Sequence, residues 1–221
     1  MSSLGILAGP GVVSAGCVEG LRTFARRVGC GVVNTWGAKG VYRWDDPLHF
    51  GTAGLQARDF ELAGLGVVDV LVTTGLDPAE VTSTPWLGRA EVIDVLPDEL
   101  ATFDGSLPRG TTERPALYTE LAAVVGPMYE QPGSPPARAA RLAASLPDGG
   151  IVVAAPGLVG FWIARTFPTT RPGSVLITTD AVNGIEVRDE DWADVDLDPS
   201  ALIAVAGPIV AWGGLDYSSA R

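Results

Sequence analysis

The sequence predicts an α/β fold: a parallel sheet with helices on both faces, followed by a smaller α/β unit. Three observations carry this expectation. Short apolar runs recur at 4–8, 67–74, 90–95 and 150–155. They hardly alternate with polar residues, which marks strands covered on both faces. Segments of helical period lie between several of them. Glycines gather beside these runs, as Gly9-Pro-Gly11, Gly37-Ala-Lys-Gly40, Gly51-Thr-Ala-Gly54 and Gly75-Leu-Asp77.

Each element can be read in turn. Leu4–Ala8 is a buried strand that ends in a Gly-Pro-Gly loop. Ser14 is suited to cap a following helix. In that helix Val18, Leu21, Ala25 and Val28 recur at helical spacing, and Gly29 closes it. Residues 31–34 form the next strand, completing a βαβ unit. Residues 36–50 read as irregular, and Gly51, Thr52 and Gly54 as a loop before a helix over 55–63. Val67–Thr74 is the clearest strand, and 90–95 repeats its character. A composition shift at 104–115 precedes a helix over 115–125. Gln131–Pro136 is a linker or sharp turn. A helix over 137–146, a strand over 150–155, a helix over 158–167 and a strand over 174–179 make a second βαβ-like unit. The stretch 186–198 is acid-rich, and 201–206 reads as a last apolar strand. The boundaries drawn are 1–110 for the first domain, 111–137 for a connecting segment and 138–221 for the second unit.

Composition narrows the function classes. Hydrophobic residues make up 47% of 221, ample for a packed core. The net charge of −11 disfavours nucleic acid as a partner. It leaves room for a small anionic ligand, because local amides can override net charge. No apolar run approaches a membrane span, and no basic segment leads an apolar core as in a signal peptide. The expected location is the cytoplasm. Cys17 and Cys30 are read as two thiols, with a single disulfide as the alternative.

Candidate site residues lie at the strand ends. Gly9 and Gly11 offer close backbone approach near a helix start, and Ser14 adds a hydroxyl. The full GxGxxG pattern fails because position 14 is Ser. Thr35, Gly37 and Lys39 follow the second strand, and Lys39 suits a phosphate as a point charge. Gly51 and Thr52 offer a matching loop. Gly75 ends the clearest strand. Asp77 and Asp94 follow apolar strands and suit ribose hydroxyls, or equally a cap or turn. His49 is the sole histidine, with Asp45 and Asp46 close by in sequence. No Ser-His-Asp arrangement or phosphate-binding GxxxxGK[ST] loop occurs. Asp189–Asp198 lacks the glycine and terminal glutamate of a calcium loop and reads as a solvated face. No catalytic residue and no metal ligand is assigned.

The ordered segments Ala8-Gly-Pro-Gly-Val-Val, Asn34-Thr-Trp-Gly-Ala-Lys-Gly40, Asp46-Pro-Leu-His-Phe-Gly-Thr-Ala-Gly54, Val68-Asp-Val-Leu-Val-Thr-Thr-Gly75 and Glu91-Val-Ile-Asp94 carry a resemblance. Over about residues 4–100 the chain resembles the central domain of thiamine-diphosphate enzymes of the acetolactate synthase and benzoylformate decarboxylase type. Residues 138–180 resemble, more distantly, the beginning of that family's diphosphate-binding domain. The resemblance implies a Rossmann-like domain with a central crevice for ADP, NAD or FAD, lined in part by the Thr35–Lys39 loop. Leu76 stands where flavin-binding members carry arginine. The family's Gly-Asp-Gly signature is absent from the 221 residues, and so is the pyrimidine-binding domain with its catalytic Glu. The expectation is therefore a protein that is not catalytic alone. Thiamine diphosphate and Mg²⁺ would enter only if a partner chain supplied the pyrimidine- and diphosphate-binding domains. A homo-oligomer is also expected, since a central domain freed of neighbours exposes apolar surface.

Overall fold

The computed structural model describes residues 3–81, 88–178 and 180–210. Five parallel strands form the first sheet: β1 (Leu4–Ala8), β2 (Val32–Thr35), β3 (His49–Ala53), β4 (Val70–Thr74) and β5 (Glu91–Asp94). Their order is β3-β2-β1-β4-β5. The chain builds outward from β1 on one side, then returns to place β4 and β5 on the other. The reversal opens a crevice at the carboxyl ends of β1 and β4.

Helices cover both faces. On one side α2 (Val18–Val28) buries Leu21, Phe24 and Ala25 against Leu4, Ile6 and Ala8 of β1. Its apolar residues fall on one stripe, and each fully buried Leu or Phe contributes about 1.5–3 kcal/mol. Gly29 ends it in the left-handed conformation (φ 62°). Leu7 of β1 points to the opposite face, where Leu117, Leu121 and Val125 of α4 (Ala116–Met128) pack.

The second half forms a three-stranded parallel sheet in the order β7-β6-β8, from β6 (Val152–Ala154), β7 (Val175–Ile177) and β8 (Ile185–Val187). Around it lie α5 (Pro135–Ser145), α6 (Leu158–Thr166) and α7 (Ser200–Ala206). Phe161, Trp162 and Ile163 of α6 share one continuous core with Leu7, Val33 and Leu71 of the first sheet. Shorter helical turns are α1 (Gly11–Ser14) and α3 (Asp59–Leu62).

Several expectations are corrected. Residues 200–206 form a helix, not a strand. Asp198 takes the Ser200 amide at 2.9 Å and its hydroxyl at 2.9 Å, starting the turn. Only Leu202 and Ala206, four apart, are buried, which is a helical period. Residues 49–53 are a strand, so Gly51 and Thr52 lie within β3 rather than in a loop. Gly51 (φ 113°) breaks the extended pattern, and the β2–β3 register shifts between Val32 and Asn34. Ser14 caps no helix; it ends α1, and its hydroxyl donates to the Gly11 carbonyl at 3.2 Å. β8 emerges from the edge of the acid-rich stretch. As expected from the sequence, Cys17 and Cys30 are free thiols, and burial pushes the Cys30 thiol up to about 11.

Candidate functional site

The crevice at the chain reversal begins with backbone against backbone. The Gly9 amide donates to the Thr74 carbonyl at 2.9 Å, and the Gly11 amide to the Gly75 carbonyl at 2.8 Å. A Cβ on Gly11 would meet the Gly75 Cα at 2.7 Å, and one on Gly75 would meet the Val12 nitrogen at 2.7 Å. These three glycines therefore hold the two strand ends together. The next amides, Val12, Val13 and Ser14, donate to Gly9 and Pro10 carbonyls. The first turn thus offers no row of free N–H groups to an anion.

Above this seam lies a cavity of about 630 Å³. Pro10, Val13, Ser14, Trp36, Gly37, Asp77, Ala79 and Glu80 line it from the first half. The β7 end and its following loop close the other side, with Leu176, Thr178, Asp180 and Val182. Among the described residues its charged lining is Asp77, Glu80 and Asp180, with no Lys or Arg.

Glu80 is one residue that the sequence alone does not reveal. Its carboxylate accepts the Gly37 amide at 3.2 Å. Burial pushes its pKa up to about 7; the Thr35 hydroxyl and the Gly37 amide oppose this, and the Asp77 charge reinforces it. A Cβ on Gly37 would collide with the Glu80 carboxylate, so Gly37 is needed for this contact. Pro78-Ala-Glu80 reads locally as a turn, and nothing in it signals a buried acid. Asp77 accepts the Ala79 amide at 2.8 Å and stays exposed.

The other sequence candidates scatter. Thr35 is buried at the end of β2 beside Glu80. Asp94 ends β5 and accepts the Thr73 hydroxyl at 2.7 Å, away from the cavity lining. Lys39, Gly51 and Thr52 line a second cavity together with Arg165. His49 lines it too, and its Nδ1 faces the Trp44 carbonyl at 3.3 Å. Burial and the nearby Lys39 charge push His49 down to about 3. Asp45 pairs with Arg43 at 3.0 Å instead.

Arg165 likewise carries no sequence signal of its role. It is a lone cation in the apolar run of α6, and it is 3% exposed. It reaches the Asp59 carboxylate at 2.8 Å, the Gln56 side chain at 3.1 Å and the Thr52 carbonyl at 2.8 Å. Asp59, fully buried, accepts the Leu55 and Gln56 amides at 2.8 and 2.9 Å. This network ties α6 to the first sheet.

Residues 3–103 match the thiamine pyrophosphate enzyme central domain. Among solved structures, the chain resembles a protein described as a candidate thiamin diphosphate-dependent enzyme isolated from Mycobacterium smegmatis. The TM-score is 0.51 at 16% identity, over 80% of this chain and 38% of that one. At that identity the likeness is one of fold. The chain spans well under half the length of that structure. No curated protein matches.

Among the described residues, the turn and helix after β6 do not fit the diphosphate of thiamine diphosphate. After β6 the chain enters α6 with Val159, Phe161 and Trp162 buried as apolar side chains, not as polar ligands for a diphosphate. Among the described residues no three His, Cys, Asp or Glu side chains converge as a metal site. In the acid-rich stretch, Asp194 pairs with Arg138 at 2.6 Å and Asp191 accepts the Arg188 amide. Among the described residues no helix is long and apolar enough to cross a membrane.

Proposed function

We propose that this chain is a central-region protein of the thiamine pyrophosphate enzyme type. By itself it runs no thiamine chemistry, and it binds the nucleoside part of an adenine nucleotide in the strand-end crevice. The observation that carries this reading is the 630 Å³ cavity at the β1/β4 reversal, with acceptors Asp77 and Glu80 on its wall. Carboxylates at strand ends suit ribose hydroxyls, and Trp36 adds aromatic surface. The amides that would hold a diphosphate are occupied, and the described lining residues include no cation. The phosphates of ADP, NAD or FAD would then lie toward solvent, so the reading favours the uncharged end of the ligand.

Calorimetric titration with adenosine, ADP, NAD and FAD tests it. Adenosine should bind at least as tightly as ADP. Ala79→Trp should abolish binding, because Ala79 is exposed and lines the cavity. Absence of heat from all four at millimolar concentration, or binding that survives Ala79→Trp, would overturn the reading.

A second reading rests on the 38% coverage of the longer solved chain. Here the protein is one subunit of a split decarboxylase or carboligase. A partner chain supplies the pyrimidine-binding and Gly-Asp-Gly domains. Thiamine-dependent turnover that appears only when such a chain is co-purified would establish it.

A further inference from the structure

The second cavity is built differently from the crevice. It has a volume of about 260 Å³ and lies between β3, α4 and α6. Leu117, Leu121, Val125 and Phe167 give it apolar walls. That volume lies just below the usual range for drug-sized ligands, about 300–1,000 Å³.

Its polar groups are unbalanced. Arg165 on the wall is matched by Asp59. Lys39 is only 7% exposed, and its ammonium has no hydrogen-bond or ion-pair partner among the described residues. The ammonium lies close enough to His49 and Arg165 to shift or be shifted by their charges, and both residues line this cavity. Among the described residues no carboxylate lines it. Arg165 also keeps a buried Nε–H without an acceptor. A buried cation without a counter-charge is costly, and an anion that enters beside it removes that cost.

We propose that this cavity is a binding site for a small organic carboxylate with an apolar body, the carboxylate pairing with the Lys39 ammonium and the body lying against α4. The site is distinct from the strand-end crevice, and its ligand class is opposite in charge preference.

The electrostatics give the site a pH dependence. Burial, reinforced by the Arg165 charge, lowers Lys39 to about 7. The groups around it are His49 from β3, Arg165 from α6, Tyr118 from α4, Tyr129 just after α4, and Arg114 stacked 3.9 Å over Tyr118. His49 is neutral above about pH 3. Tyr129 is pushed up beyond the usual phenol range by burial. Lys39 is therefore the group that titrates near neutrality, and an anion should bind more tightly below pH 7 than above it.

The test is calorimetric titration of the full chain with benzoate, benzamide and benzylamine at pH 6 and pH 9. Benzoate should bind at least about tenfold more tightly than benzamide at pH 6, a ratio readable directly from Kd. That advantage should collapse at pH 9, and benzylamine should not bind. Lys39→Met should remove the preference for benzoate. Ala122→Trp, an exposed position at the cavity wall, should block all binding while Lys39 remains. It serves if Lys39→Met does not fold. Equal binding of benzoate and benzamide, full benzoate affinity in Lys39→Met or Ala122→Trp, or no benzoate binding at millimolar concentration would overturn the proposal.

Discussion

Replacing Asp59 by Ala should destabilise this protein more than any surface change. Asp59 is 0% exposed and Arg165 is 3% exposed. The substitution removes the acceptor for two backbone amides, at 2.8 and 2.9 Å, and for the Arg165 guanidinium at 2.8 and 2.9 Å. The guanidinium stays buried, held only by the Gln56 side chain and the Thr52 carbonyl. Breaking a buried pair from one side costs about 3–5 kcal/mol. For a chain of this length each kcal/mol is about 2–4 °C, so the melting temperature should fall by roughly 6–20 °C. Arg165→Met should cost a comparable amount, since it leaves the carboxylate buried. The double variant Asp59→Leu/Arg165→Met removes both charges and should be more stable than the sum of the single effects by at least about 1 kcal/mol. Urea unfolding followed by circular dichroism and tryptophan fluorescence measures all three. Single-variant losses below about 1 kcal/mol, or strict additivity, would refute the argument that this pair anchors α6 to the first sheet.

Other outcomes follow from the same structure. Gly75→Ala should cost several times more than Gly16→Ala in chemical denaturation. Both glycines have positive φ, 57° and 68°, which penalises any side chain by about 1–2 kcal/mol. Only at Gly75 does the new Cβ meet backbone, at 2.7 Å from Val12. Lys39 is lowered from 10.5 to about 7, so the folded state binds fewer protons there than the unfolded chain, and stability should rise with pH from about 7 to 9, above which Cys30, raised from 9.0 to about 11, acts in the opposite sense. Lys39→Met should flatten that rise. Glu80 is raised from 4.5 to about 7, so its contribution is fully present below 4.5 and lost as pH climbs through 7. His49, lowered from 6.5 to about 3, acts in the opposite sense between those values. In Glu80→Gln the His49-driven rise should therefore be steeper than in the parent chain, with Asp59, whose carboxyl burial pushes up, still opposing it. Sedimentation should return a homo-oligomer, since Val92 and Leu96, in and just after edge strand β5, are 45% and 57% exposed; a monomer mass across the micromolar range would contradict this.

The sequence determined the fold class and the order of the strongest elements. Val70–Thr74 and Leu4–Ala8 are legible because continuous apolar runs have few other stable uses. The stripe of α2 and its closing Gly29 are legible because helix period and glycine geometry are local properties. Tertiary structure decided the rest. Ala201–Ala206 is apolar enough for strand or helix, and only the partners of Leu202 and Ala206 choose the helix. The glycines at 9, 11 and 75 were visible as a cluster, but their role as a backbone seam depends on two loops meeting from residues more than sixty apart. Lys39 was visible as a charge, but the sequence placed it with the strand-end loops. The turn after β2 instead brings it to the cavity shared with His49 and Arg165. Glu80, Asp59 and Arg165 had no local signature at all. A charge becomes buried, paired or stranded only through what distant segments pack around it, and burial is a property of the folded chain rather than of the residue.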